Sequence, residues 1–203
     1  MNQYAAAEYN HKARWYSYYY QFSNILEQNP KRILEIGIGS GITTQVLKEN
    51  GIEVTTLDND PKNNPDIVGD VLRLPFEDNT FDVAVAFAML EHIPFSSFSP
   101  ALKEMSRVGN GNVIISLPDH GKSLLRLTFK LPFIKEKNIQ LRLPAINNRK
   151  YWAPSGHFWE MGNIYYPYHK IAKEIKKSGL KIVESYIPNE SAWIRYFILK
   201  KIK

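Results

Sequence analysis

Cysteine is absent from all 203 residues. That excludes a disulfide framework, a thiol nucleophile and cysteine-ligated zinc. Long apolar runs are missing as well, so no stretch reaches the length needed to cross a membrane as a helix. The opening MNQYAAAEYN has neither the basic region nor the continuous apolar run of a secretory signal, and the expectation is a cytoplasmic protein. Internal repeats and low-complexity tracts are lacking. Two nucleotide signatures are also missing. There is no phosphate-cradling GxxxxGK[ST], and the dinucleotide pattern GxGxxG fails because Ile42 stands where its last glycine belongs.

What is present describes a folded chain. Hydrophobic residues at 44% and charged residues at 23% suit a globular core rather than disorder. The length predicts a single domain over residues 1–203. The formal charge of +6 is concentrated in one place. Between His120 and Lys150 stand eight lysines and arginines against the single acid Glu136, so the remainder of the chain is nearly neutral. Such a segment suits an anionic substrate, an acidic lipid surface or nucleic acid, and equally a solvated face.

Strand and helix signals alternate through the first 118 residues. An N-terminal helix carries Trp15, Tyr19, Phe22 and Leu26 at helical spacing, an apolar stripe expected to face a core or pocket. Short apolar strands come next at 32–36 and 53–57, separated by a helix closed at Gly51. Two prolines between Asn59 and Asp66 argue against a long helix there. A brief strand at Ile67-Val68 precedes a nearly continuous apolar run from Phe81 to Ala88, which fits a parallel strand covered on both faces. Ser99-Pro100 reads as a helix start, and Val113 to Leu117 as a fifth strand. This alternation predicts an α/β fold with right-handed crossovers and a doubly wound sheet. Residues 120–166 break the rhythm and read as an inserted lid or acceptor-binding segment of loops and short helices. A helix near 168–177 and strands near 181–187 and 192–199 then restore order.

Ligands of open α/β sheets bind beyond the carboxyl ends of the strands. Gly37-x-Gly39-x-Gly41 lies between the first strand and its helix, where glycines permit a sharp turn and close approach to backbone. The helix start behind it offers unpaired N–H groups to an anion. Asp58 ends the second strand, where a carboxylate can accept from two ribose hydroxyls; a turn-forming aspartate is the plainer alternative. Asn59 adjoins it. Asp70 could accept from an exocyclic adenine amine with Val71 against the ring face, and it too has a turn reading. Glu35 is placed to help neutralise an ammonium or to form a strand-end ion pair.

Together these features resemble the class I S-adenosylmethionine (SAM)-dependent methyltransferases, and their small-molecule branch especially. ILEIGIGSG is similar to the family's first motif, Thr55-Thr56-Leu57-Asp58 to its second-strand acid, and Asp66 to Asp70 with Leu74-Pro75-Phe76 to its adenine-side segment. Phe81-Asp82-Val83 resembles the opening of its fourth strand, and Met89-Leu90-Glu91-His92 the segment after that strand. The resemblance spans roughly residues 31–118. It implies a Rossmann-like sheet of seven strands, the last antiparallel and inserted between the fifth and sixth, with an N-terminal helix and an insertion after strand five. It also implies SAM as cofactor, with contacts from Gly37, Gly39, Asp58, Asp70 and Val71; Glu35, Gly41 and Asn59 complete the expected cofactor set. Tyr18 is a candidate for closing over it.

His92 and His157 are the candidates for groups beside the methyl acceptor, each with a structural alternative as a loop-holding or packed histidine. No metal is expected, because the histidines and acids show no ligand spacing in sequence, although distant residues can converge in space. A small-molecule acceptor is expected, with peripheral contact to an anionic membrane surface left open; no nucleic-acid recognition motif occurs. The sequence leaves the acceptor and any oligomeric partner unidentified. A non-catalytic SAM-binding or partner-binding module on the same fold is the alternative function.

Overall fold

The protein is described by a computed structural model covering residues 11–129, 133, 137–145 and 156–202. Successive side chains of its central strands enter opposite cores. Ile33 of β1 (Arg32–Ile36), Val83 and Val85 of β4 (Val83–Phe87) and Ile114 of β5 (Asn112–Pro118) face one side. There they meet Ile25 of α1 (Lys12–Leu26) and Leu47 of α2 (Ile42–Glu49). Leu34, Ala84, Ala86, Val113 and Ile115 face the other side, against Phe98, Leu102 and Met105 of α3 (Phe95–Val108) and Ile171 and Ile175 of α4 (Tyr168–Lys177). Burial on both faces is why these strands read as unbroken apolar runs rather than alternating ones.

With β2 (Glu53–Asp58), β3 (Ile67–Val68), β8 (Leu180–Tyr186) and β9 (Ile194–Lys201), the main sheet has seven strands in the order β3-β2-β1-β4-β5-β9-β8. Pairings from β3 to β5 are parallel, and β9 runs antiparallel to both β5 and β8. This is the Rossmann-like methyltransferase arrangement that the resemblance implied. The proline-rich stretch after β2 contains only a single 3-10 turn, Pro61–Asn63, as its composition predicted.

Three local expectations are corrected. On α1 the buried face consists of Ser17, Tyr18, Gln21, Asn24 and Ile25, while Trp15, Tyr19 and Leu26 of the anticipated stripe are exposed. Hydrogen bonding decides the orientation. Tyr196 Oη donates to Ser17 O at 2.9 Å, Tyr186 Oη to Asn24 Oδ1 at 2.8 Å, and Thr43 Oγ1 to Gln21 Oε1 at 2.6 Å. Buried polar groups must be paired, and those partners are available only on one side of the helix. Next, α3 begins at Phe95 and runs through Pro100. Phe95 and Phe98 pack on Trp159, with ring centroids 5.0 and 5.1 Å away. That anchorage draws an extra turn into the helix ahead of Pro100, which stands in the second turn and cannot donate to the Ser96 carbonyl.

The third correction concerns the insertion. Instead of loops and short helices, its first part is an antiparallel hairpin, β6 (Lys122–Phe129) with β7 (Lys137–Leu143), forming its own two-stranded sheet. Its Arg126 and Gln140 reach the loop after β8, where Arg126 Nη1 donates to Asn189 O at 3.3 Å and Gln140 Nε2 to Ile187 O at 3.0 Å. Alternation then sends Leu125, Leu127, Phe129, Leu141 and Leu143 to the opposite face, where all are exposed.

Candidate active site

The order in which strands are added reverses between the parallel neighbours β1 and β4, and the crevice at such a switch point is where open α/β sheets bind ligands. Two backbone conformations open it here. Gly37 has φ +80°, and a Cβ on it would lie 2.6 Å from Cγ of Met89, so the turn after β1 tolerates no side chain. Ala88 has φ +48°, a rare conformation for a non-glycine residue, and its N–H is held by Ser116 O at 3.0 Å. That twist at the end of β4 sets Met89 against Gly37 and leads into a 3-10 turn, Leu90–His92. Between these turns lies a cleft of about 430 Å³, a volume within the usual range for small-molecule sites.

The cleft gathers Glu35, Gly37, Gly39, Asp58, Asn59, Asp70 and Val71 from separate segments, together with Tyr18 and Gln21 of α1. Gly41 stands one step behind, as the left-handed N-cap of α2, with no side chain capping that helix. Asp58 is buried, accepting from Asp60 N–H at 2.9 Å and Asn63 Nδ2 at 3.2 Å. A carboxylate has about four acceptor positions, so capacity for two further donors remains. Asp70 accepts from Leu72 N–H at 2.9 Å, a turn contact that leaves its other oxygen available beside Val71. Tyr18 accepts at Oη from Ser40 Oγ at 3.0 Å, tying α1 to the glycine turn.

Glu35 is fully enclosed, and burial pushes its carboxyl up to about 7, although the hydroxyl of Thr44 donates to it. A cation in the cleft would oppose that rise. Gln21 and Thr43, which line the same wall as Ser40 of the glycine turn, had no signal in the sequence because they become site residues only through the packing of α1 over α2.

His92 lies at the far end of the cleft, with Nδ1 3.3 Å from Gly156 O. His157 is outside the lining, yet its ring meets that of His92 edge to face at 4.6 Å. Desolvation, together with the neighbouring His157, lowers the His92 pKa. Behind them Glu160 accepts from His157 Nδ1 and from His120 Nε2, the latter at 2.8 Å. Burial alone would raise the Glu160 carboxyl, but these two partners outweigh it and hold the group at about 2. Glu91, adjoining His92 in the turn, is 1% exposed, and neither carboxylate oxygen finds a hydrogen-bond partner in another described residue, although Arg14 attracts it. Burial raises it to about 8. Sixty-five residues separate His92 from His157, so spacing gave no warning that Glu91, His92 and His157 converge. One ligand-type atom from each lies within 4.8 Å of the others.

A family model described as a methyltransferase domain matches residues 34–117. An uncharacterized methyltransferase from Staphylococcus carnosus is 30% identical over 173 residues, covering 80% of this chain and 76% of the relative. Demethylmenaquinone methyltransferase from Thermotoga maritima is 35% identical over 97 residues, which is 41% of this chain and 41% of that one. Among solved structures, magnesium protoporphyrin IX methyltransferase from Synechocystis PCC 6803 with bound SAM superposes with a TM-score of 0.61 at 12% identity, covering 94% of this chain and 80% of that chain.

Proposed function

The chain belongs to the class I SAM-dependent methyltransferases, and from that premise we propose that it transfers the methyl group of SAM to a small-molecule acceptor admitted beside His92. The convergence of Glu35, Gly37, Asp58 and Asp70 on one cleft at the switch point is the observation that carries this reading. When bound, SAM supplies a methyl group already activated by its positive sulfur, so the remaining task is alignment and exclusion of water. Holding two reactants in line contributes roughly 7 to 11 kcal/mol in well-oriented systems.

The residues divide that task. Asp58 accepts from the ribose hydroxyls with its spare lone pairs, and Asp70 with Val71 reads the adenine. The uncapped N-terminus of α2 faces a carboxylate favourably, while Glu35 balances the ammonium. Tyr18, tied to Ser40, covers the cleft from α1. His92 orients the acceptor's polar group, backed by His157 and Glu160.

We also propose that the hairpin rests on an anionic lipid surface. Its outward leucines and Phe129 supply apolar contact, and exposed Lys122 supplies positive charge beside them, whereas Arg126 and Arg142 of the basic stretch turn inward. An apolar acceptor would then reach the cleft from the membrane side; the Thermotoga relative is named for such a molecule, demethylmenaquinone.

Asp58→Ala tests the cofactor site. It removes acceptors at a strand end and leaves core volume intact, so folding is retained. A hydrogen bond to a charged group is worth roughly 1.5 to 3 kcal/mol, and SAM affinity by calorimetry is expected to fall about ten- to a hundredfold. Unchanged affinity in a folded variant would remove Asp58 from the site, and saturable NAD binding without SAM binding would overturn the reading.

A further inference from the structure

Glu91 poses a problem that the cofactor site does not solve. Its carboxylate is almost wholly buried, accepts no hydrogen bond from another described residue, has the attraction of Arg14 as a partial offset to that burial, and lies beside two imidazoles. Removing an isolated carboxylate from water is costly unless it is paired or coordinates a metal. The imidazoles carry a second sign. Nδ1 of His157 is held by the Glu160 carboxylate, and Nδ1 of His92 lies against the carbonyl of Gly156. Metal-ligating histidines almost always engage their second ring nitrogen with a carboxylate or a backbone carbonyl, which fixes the tautomer and orients the ring. Here both arrangements occur, and Nε2 of each ring is left without a partner among the described residues.

We propose that Glu91, His92 and His157 form a site for one divalent transition-metal ion of the zinc type at the acceptor end of the cleft. Two histidines and one glutamate are a ligand set of catalytic zinc centres, which keep a position open. Ligand atoms 2.0–2.1 Å from a tetrahedral ion sit about 3.3 Å apart, so groups within 4.8 Å need close by no more than about 1.5 Å. Rotation about side-chain bonds covers that distance. Two histidines with a carboxylate also suit non-haem iron, whereas magnesium and calcium favour sites made entirely of oxygen.

The open position faces the cleft because His92 lines it. The use of that position rests on the methyltransferase reading. An acceptor hydroxyl placed there loses its proton to solvent at lower cost, since a bound cation depresses the pKa of a ligated hydroxyl. The oxygen's electron pair then forms the new C–O bond as the C–S bond breaks, and the pair of that bond stays on sulfur. The products are a methyl ether, S-adenosylhomocysteine and one proton. His92 is then a ligand, and Glu160 is the positioning residue behind His157.

The full chain, stripped with a chelator and titrated with Co²⁺, tests the site without needing an acceptor. Visible d–d absorption saturating at one ion per chain is expected, and Zn²⁺ should displace it. Glu91→Gln and His157→Gln should each weaken binding more than about a hundredfold, and Glu160→Gln about ten- to a hundredfold. His169→Gln, outside the cluster, should leave it unchanged. S-adenosylhomocysteine affinity, measured on the same samples, reports whether each variant is folded. No saturable Co²⁺ spectrum in the wild-type chain would overturn the proposal and leave Glu91 a buried neutral acid. Equal binding in folded Glu91→Gln and His157→Gln would overturn it too. Metal binding with no affinity for S-adenosylhomocysteine would instead sink the methyltransferase reading and leave the metal site standing.

Discussion

The two ends of the cleft are built in different ways. At the end proposed for the cofactor most contributing segments are strand ends or the turns after them, with α1 and α2 adding Tyr18, Gln21 and Thr43, and the backbone conformation itself shapes the site, as at Gly37. At the end proposed for the acceptor the groups come from a 3-10 turn and from an insertion more than sixty residues away, joined by side chains: His92 to His157, His157 to Glu160, and Trp159 to the carbonyl of Ile93. A site made by sheet topology is inherited with the fold. One made by side-chain contacts across an insertion can be altered piecemeal, which suits a family in which the cofactor is constant and acceptors differ.

The largest effect should come from loosening the insertion. Trp159 is 1% exposed, packs against Phe95, Phe98 and Tyr166, and donates from Nε1 to Ile93 O at 3.0 Å. Trp159→Ala should cost about 3 to 5 kcal/mol of stability by denaturant titration, because the cavity cannot collapse around so many rings. Trp159→Phe should recover much of the loss. A cost below about 1 kcal/mol would mean that the insertion is not anchored to the core, and the contrast between the two ends would become one of rigidity as well.

A smaller effect probes the cofactor end. Without ligand, Glu35 keeps its proton up to about pH 7, whereas an unfolded chain releases it near 4.3. The folded state therefore binds the extra proton between those limits, and stability falls as pH rises through the window, by on the order of 3 kcal/mol, then levels off. SAM affinity should move oppositely and rise through about pH 7, since its ammonium favours the ionised carboxylate. Glu35→Gln should flatten both profiles. Parallel profiles for wild type and variant, in stability and affinity alike, would remove Glu35 from both roles.

The same division decides what could be read in advance. Gly37, Gly39, Asp58 and Asp70 were legible because strand-turn-helix signals place them at one edge with no long-range information. The order β5-β9-β8 was legible only through the family resemblance, since local patterns do not specify which strand inserts between which. On α1 periodicity favoured Trp15, Tyr19 and Leu26, but hydrogen-bond partners on α2, β8 and β9 turned the helix to its polar side. Glu91 was visible only as part of a motif, because its burial depends on the approach of residues 156–160.

The smallest expected effect on stability lies in the hairpin, whose two faces are inverted relative to an ordinary surface ribbon. Arg126 and Gln140 turn inward to the loop after β8, while Leu127 and Leu141, 41% and 57% exposed, turn outward. Leucines already in water contribute little to folding, so Leu127→Asn with Leu141→Asn should change stability by no more than about 0.5 kcal/mol per site and leave SAM affinity alone. Association with lipid is where the loss should show. Wild-type protein should sediment with vesicles containing anionic lipid, and each basic residue near such a surface contributes about 1 kcal/mol. That help fades as salt approaches about 0.15 M, where the Debye length is near 8 Å. Neutral vesicles should retain little, and the double variant should lose most of the binding at every ionic strength. Equal sedimentation with neutral and anionic vesicles would remove the electrostatic half of the idea. No sedimentation with either would leave the apolar face to another occupant and confine the acceptor's route to solution.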